Sequence, residues 1–211
     1  IWKGDLSFRV PKMSSNLLNI ELESDSVSVK RSSQSFNINK CKASLSYTKN
    51  KPSHFTLNSD IISVECEGSV DYTTIVDIWK TTVMKHIPSL EGIVSAKNSQ
   101  KKDETSMSFF IDIHNGNFLK KICLIPLELG NGTTIKGKLF KDNSWAEIVA
   151  QTKKINYKGT NLENVSVHVH SKELGAGLLV QGKKQLLDDN VQFVIGAQLH
   201  DNLLETNIEW D

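Results

Sequence analysis

Ile62-Ser63-Val64-Glu65-Cys66-Glu67-Gly68-Ser69-Val70 alternates without a slip. Ile62, Val64, Cys66 and Val70 fall on one side, with Gly68 in their row, while Ser63, Glu65, Glu67 and Ser69 take the other. Successive side chains of a strand point to opposite faces, so this stretch has one dry and one wet side. A wet side marks an antiparallel sheet, because parallel strands covered on both faces read as continuous apolar runs.

The same period runs outward in both directions. Before it, Val27 and Val29 alternate with Ser26 and Ser28, Phe36 and Ile38 with Asn37 and Asn39, and Ala43, Leu45 and Tyr47 with Ser44 and Ser46. After it, Met107, Phe109, Ile111 and Ile113 share a face. Further strands are predicted over 134–140, 145–152, 155–157, 164–170, 178–180, 191–197 and 203–210. Turn residues stand between strands, among them Asn131-Gly132, Lys158-Gly159, Gly175-Ala176-Gly177 and His200-Asp201-Asn202. Spacers this short favour an antiparallel meander, since parallel neighbours need long crossovers.

Two segments depart from the period. Tyr72, Ile75, Ile78, Trp79, Val83 and Ile87 have helical spacing, and Pro88 follows, which predicts one amphipathic helix near 72–87. A short helix is predicted near 117–123, before Pro126. Residues 95–106 are polar and aperiodic, the pattern of a loop. The expected organisation is therefore a first β segment, 1–94, ending in the helix; a polar loop, 95–106; and a second β segment, 107–211. Together they read as one continuous, mainly β unit. Both ends read as cuts within a longer secreted or periplasmic chain, since Ile1 is no initiator and the last alternation looks interrupted.

Composition narrows the function. Lys and Arg number 25 against 24 Asp and Glu in 211 residues, which lacks the basic footprint of a nucleic-acid binder. No window approaches the roughly 20 apolar residues of a membrane-spanning helix. Cys41, Cys66 and Cys123 have neither metal nor redox spacing and read as small hydrophobes, with one disulfide of unassigned pairing left open.

Candidate chemistry is sparse. His168 and His170, two apart on a strand, share a side and can in principle chelate a metal. The simpler reading has Val165, Val167 and Val169 on the core side and the histidines in water. Glu65 and Glu67 share a face among serines, as solvated acids do. Gly130-Asn131-Gly132-Thr133-Thr134 lacks the lysine of a phosphate loop and reads as a hairpin turn. Trp79, Trp145 and Trp210 sit in periodic segments, as core anchors do. No catalytic residue, metal ligand or cofactor is assigned, and the chain reads as a non-enzyme.

Several stretches taken in order carry a resemblance. They are His54–Gly68 (HFTLNSDIISVECEG), the helix running to His86-Ile87-Pro88-Ser89-Leu90, Ser108–Gly137 (SFFIDIHNGNFLKKICLIPLELGNGTTIKG), Ile155–Val167 (INYKGTNLENVSV) and the final Asn207-Ile208-Glu209-Trp210. Together they resemble the middle region of the TamB family (the translocation and assembly module) of the AsmA-like superfamily, in the form found in Bacteroides and relatives. The resemblance covers most of the chain from His54 onward. It implies a curved, elongated sheet or half-pipe with an apolar concave face, in a periplasmic protein anchored in the inner membrane. It also implies phospholipid transfer between the two membranes, outer-membrane protein assembly, or both. The implied partners are phospholipid acyl chains, neighbouring β segments of the same chain, and an outer-membrane assembly protein.

Dry-face positions of the later strands supply the groove candidates: Phe109, Ile111, Ile135, Leu139, Ile148, Val167, Phe193, Ile195 and Ile208. Lining by such side chains shields acyl chains at about 0.8 kcal/mol per buried methylene. The other functional reading is a secreted glycan-binding or structural β-sandwich, for which clustered exposed aromatics would be the mark.

Overall fold

The computed structural model describes residues 2–4, 7–14, 17–31, 34–48, 51–68, 106–123, 125–140, 145–172, 175–186 and 189–211. The predicted helix near 72–87, Trp79 and all but the last residue of the predicted polar loop lie outside them.

The described residues form one open sheet of fourteen strands. They are β1 (Trp2–Gly4), β2 (Ser7–Ser14), β3 (Leu17–Arg31), β4 (Gln34–Thr48), β5 (Ser53–Asn58), β6 (Ile62–Gly68) and β7 (Ser106–Ile113). The second half continues with β8 (Leu127–Leu129), β9 (Thr133–Phe140), β10 (Trp145–Tyr157), β11 (Thr160–Lys172), β12 (Gly175–Leu186), β13 (Asp189–His200) and β14 (Leu203–Trp210). Every pairing is antiparallel. The order is β1-β3-β4-β5-β6-β7-β9-β10-β11-β12-β13-β14, a meander in which β2 also pairs with β3 and β8 with β10. β6 pairs directly with β7, so the two predicted segments are one sheet.

β8 and β9 lie along the same edge of β10, opposite residues 155–157 and 145–151 respectively. Gly130-Asn131-Gly132 therefore joins two pieces of one interrupted strand and is not the hairpin that its composition suggests. Residues 145–157 are likewise one strand, not two, and Gly175-Ala176-Gly177, expected as a turn, opens β12. The short helix expected near 117–123 is a single π-helical turn, Leu119–Cys123.

That turn has a structural place. β5, β6, β7 and β9 are 6, 7, 8 and 8 residues long between β4 of 15 and β10 of 13 residues, which leaves a notch in the rim of the sheet. The chain leaving β7 fills it, and Leu119–Cys123 touches both β4 and β8. The His114 and Asn115 N–H groups donate to the Ile61 carbonyl at 2.9 and 3.1 Å, and a Lys120–Glu128 ion pair fastens the turn to β8. Asp60, at the β5–β6 turn, accepts from the backbone N–H and the side-chain amide of Asn39 at 2.9 and 3.0 Å. This carboxylate thus ties β4 down where β5 has ended.

Two hairpins invert their apolar parity near this rim. In β3–β4 the dry pairs are Ile20–Leu45 and Leu22–Ala43, but beyond the Asp25/Lys40 position the apolar pair is Val27–Ile38. In β10–β11 the dry pairs are Ile148–Val169 and Ala150–Val167, but beyond Lys153/Asn164 it is Ile155–Leu162. Lys40 and Asn164 have φ of 52° and 49°. A left-handed residue breaks the strict pleat, so the alternation restarts in the other phase.

Candidate functional site

The register assembles the dry positions into one surface. A row of paired residues runs Leu22, Ala43, Leu57, Val64, Ile111, and continues Ile135, Ala150, Val167, Val180, Ile195, Ile208. Phe8 of β2 pairs with Leu22 at its far end. No position in this row is polar. With strands about 4.8 Å apart, its eleven steps span roughly 53 Å.

All nine groove candidates lie on this face. Ile111, Ile135, Val167, Ile195 and Ile208 are in the row itself. Phe109 and Ile148 stand two residues along their strands from the row and both pair with Gly137. Phe193 pairs with Gly182 and Trp210. Leu139 differs from the rest: it is 2% exposed, clustered with Met107 and Ala146 and backed by Phe109, so it consolidates the sheet and offers no surface. Ile208 is 56% exposed at the other extreme. The candidate list missed the row's Leu22, Ala43, Leu57, Val64, Ala150 and Val180, which carry the same period-two signal.

Two aromatics on this face, Phe109 and Phe193, lie over glycines. The Phe109 ring lies over Gly137, where an added Cβ would meet its Cζ at 2.5 Å and Cε1 at 2.7 Å. Phe193 covers Gly182 in the same way, with Cζ at 2.8 Å from the corresponding point. On the opposite face the His170 ring covers Gly177. A cross-strand glycine opposite an aromatic lets the ring cover backbone that would otherwise be bare.

Nothing among the described residues forms a second layer over the middle of the apolar face. Most residues there are half-buried, and no large side chain among the described residues is fully enclosed. The chain exposes 14351 Å², whereas a compact chain of its 23.6 kDa exposes about 9,800 Å².

The polar face carries a shallow cavity of about 480 Å³ over β5 to β10. Glu65 and Glu67 stand on one wall and Lys136 and Lys138 on another, with Ser108 and Phe110 of β7 between them. Glu147 reaches towards His168, 3.3 Å from Nε2. His168 and His170 share this face with ring centroids 5.5 Å apart, as their spacing predicts. No group of three metal-ligating side chains occurs among the described residues. His114 is a tie: its ring nitrogens lie 3.1 Å from the Ser59 carbonyl oxygen and 3.3 Å from the Ser63 hydroxyl, with Asp112 at 3.7 Å.

The remaining reactive groups are thiols. Cys41 and Cys66 are free and half-buried. Burial raises the pKa of both, and Asp60 pushes Cys41 up further. Trp145 is half-buried and meets Phe140 at 4.7 Å with a 50° tilt, whereas Trp210 is 74% exposed. Trp210 thus corrects the expectation of a core anchor. Among the described residues no helix is long and apolar enough to cross a membrane.

No family model, curated protein or solved structure matches the chain.

Proposed function

We propose that this chain is a non-catalytic segment of a periplasmic, TamB-like protein whose apolar face shelters phospholipid acyl chains in transit between two membranes. The observation that carries the reading is the unbroken apolar row across the sheet, with no second layer over its middle among the described residues. A continuous apolar patch of that length is a binding surface or an aggregation hazard in a water-soluble chain. Acyl chains suit it because they demand no directional contact, and each methylene withdrawn from water contributes about 0.8 kcal/mol. The role in outer-membrane protein assembly belongs to the same proposal, with the sheet as scaffold.

A glycan-binding sandwich receives less support. Its mark would be flat, exposed aromatics grouped on one surface, and the Phe140–Trp145 pair is tilted with Trp145 half-buried.

The test is native mass spectrometry of detergent-free protein with lipid extraction. Phospholipid is expected to co-purify, and Ile111→Lys together with Ile195→Lys is expected to remove it while the circular dichroism of the sheet persists. Lipid-free wild-type protein that also takes up no lipid from phosphatidylethanolamine vesicles would sink the proposal.

A further inference from the structure

The cavity on the polar face sorts its charges by strand. β6 sets Glu65 and Glu67 along one wall, β9 sets Lys136 and Lys138 along the other, and β7 lies between them with Ser108 and Phe110 as the floor. Glu65 pairs with Phe110 and Phe110 with Lys136, while Glu67 pairs with Ser108 and Ser108 with Lys138. Side chains rise nearly perpendicular to a sheet, so charges two strands apart stand roughly 10 Å from each other. These do not close the gap. None of the four makes an ion pair or a side-chain hydrogen bond among the described residues. Glu147, the cross-strand neighbour of Lys138, turns instead to His168, 3.3 Å from Nε2, and leaves the lysine unneutralised.

The gap has a defined length and an apolar centre, since Phe110 is 41% exposed between Glu65 and Lys136. One charge-assisted hydrogen bond of about 2.8 Å to each wall leaves about 4 Å between the charged atoms of a bridging ligand. That is the separation of an ammonium from an oxyanion two carbons away. Residues two apart on one strand lie roughly 7 Å from each other, so a group seated midway reaches both. An ammonium thus meets Glu65 and Glu67 together, and an anion meets Lys136 and Lys138 together. A phosphate monoester suits the lysine wall, because it carries about −1.5 to −2 charge at pH 7 and has oxygens for two donors.

We propose that this cavity binds a short phosphorylated amine. Its phosphate sits on Lys136 and Lys138, its ammonium on Glu65 and Glu67, and its linking carbons on Phe110. The cavity is open and measures about 480 Å³, so either end of the ligand can carry a larger body, as a lipid headgroup does. The site occupies the face opposite the apolar row. It neither needs nor supports acyl-chain binding, and the two readings fail separately.

Phosphoethanolamine is the probe, titrated at low ionic strength, where exposed charges are least screened, and followed by NMR amide shifts of residues 65–67, 108–110 and 136–138. Saturable shifts with a Kd of the order of 1 mM or tighter are expected. Ethanolamine alone and inorganic phosphate alone should each bind about tenfold more weakly or worse. Lys136→Gln with Lys138→Gln should weaken binding by a similar factor at unchanged circular dichroism, and so should Glu65→Gln with Glu67→Gln. Lys136→Arg with Lys138→Arg should preserve it. Lys153→Gln with Lys154→Gln, which removes the same charge from exposed positions elsewhere, should leave it unchanged. A vesicle arm reads the source of the ligand. Pelleting with phosphatidylethanolamine vesicles that Lys136→Gln with Lys138→Gln abolishes marks a lipid headgroup, and soluble binding without such pelleting marks a free phosphorylated amine. The absence of saturable shifts overturns the proposal. So do half-molecules that bind as tightly as the whole, or an equal loss in the Lys153 and Lys154 control.

Discussion

Replacing Gly137 by alanine is the sharpest probe of how the apolar face is held. The new Cβ would stand 2.5 Å from Phe109 Cζ and 2.9 Å from the Glu147 carbonyl oxygen. Neither approach is tolerable, so the ring must swing off the sheet and the β9–β10 ladder must give slightly. Overpacking of this kind costs about 1–3 kcal/mol. Phe109→Ala alone removes a half-buried ring, and roughly half the usual 3–5 kcal/mol for a buried phenylalanine, about 2 kcal/mol, is expected. If the ring is what the new methyl strikes, the double variant is barely less stable than Phe109→Ala. The coupling is then about 1 kcal/mol or more in the compensating direction. Urea midpoints of the four proteins at constant slope read this cycle directly. Additivity of the two single effects within ~0.5 kcal/mol would refute the reasoning, since it is the signature of independent sites.

Other outcomes follow from burial and bonding. Leu139→Ala should cost about 2–4 kcal/mol in urea unfolding, and Ile208→Ala, at an exposed position, less than about 1 kcal/mol. Asp60→Ala should cost about 1–2 kcal/mol, because it removes a charged acceptor of two hydrogen bonds and frees the β4 backbone beside the notch. Raised thiol pKa values leave less thiolate at pH 8, so Cys41 and Cys66 should alkylate more slowly than a free cysteine. Asp60→Asn should speed Cys41 and leave Cys66 unchanged, which mass-resolved iodoacetamide labelling would read.

Period two alone makes the dry surface readable in the sequence. Phe109, Ile111 and Ile135 on successive strands, and Phe193, Ile195 and Ile208 far along the chain, meet on one face because each spacer preserves phase. What the alternation hid were the strand lengths. Ile155 is out of phase with Ile148 because Asn164 opposite is left-handed, so one strand looked like two. Gly175 and Gly177 looked like a turn because a strand glycine leaves no side-chain signal, and its reason, the ring of His170, lies on another strand. Asn131-Gly132 has hairpin composition, yet the chain continues in the same direction past it along β10. The burial of Leu139 was equally illegible, since alternation gives the face and not the depth at which a residue sits along the strand.

The meander has one more consequence, for how such a chain lengthens or shortens. Each strand is supported by the strands on either side of it, so the sheet behaves as a stack of local couplings along one axis. A hairpin duplicated within it restores strand direction and face together, and the apolar row simply gains two members. A single added strand would reverse every strand after it. Growth in pairs is the step this architecture tolerates, and loss of structure under stress should proceed inward from an edge, rank by rank.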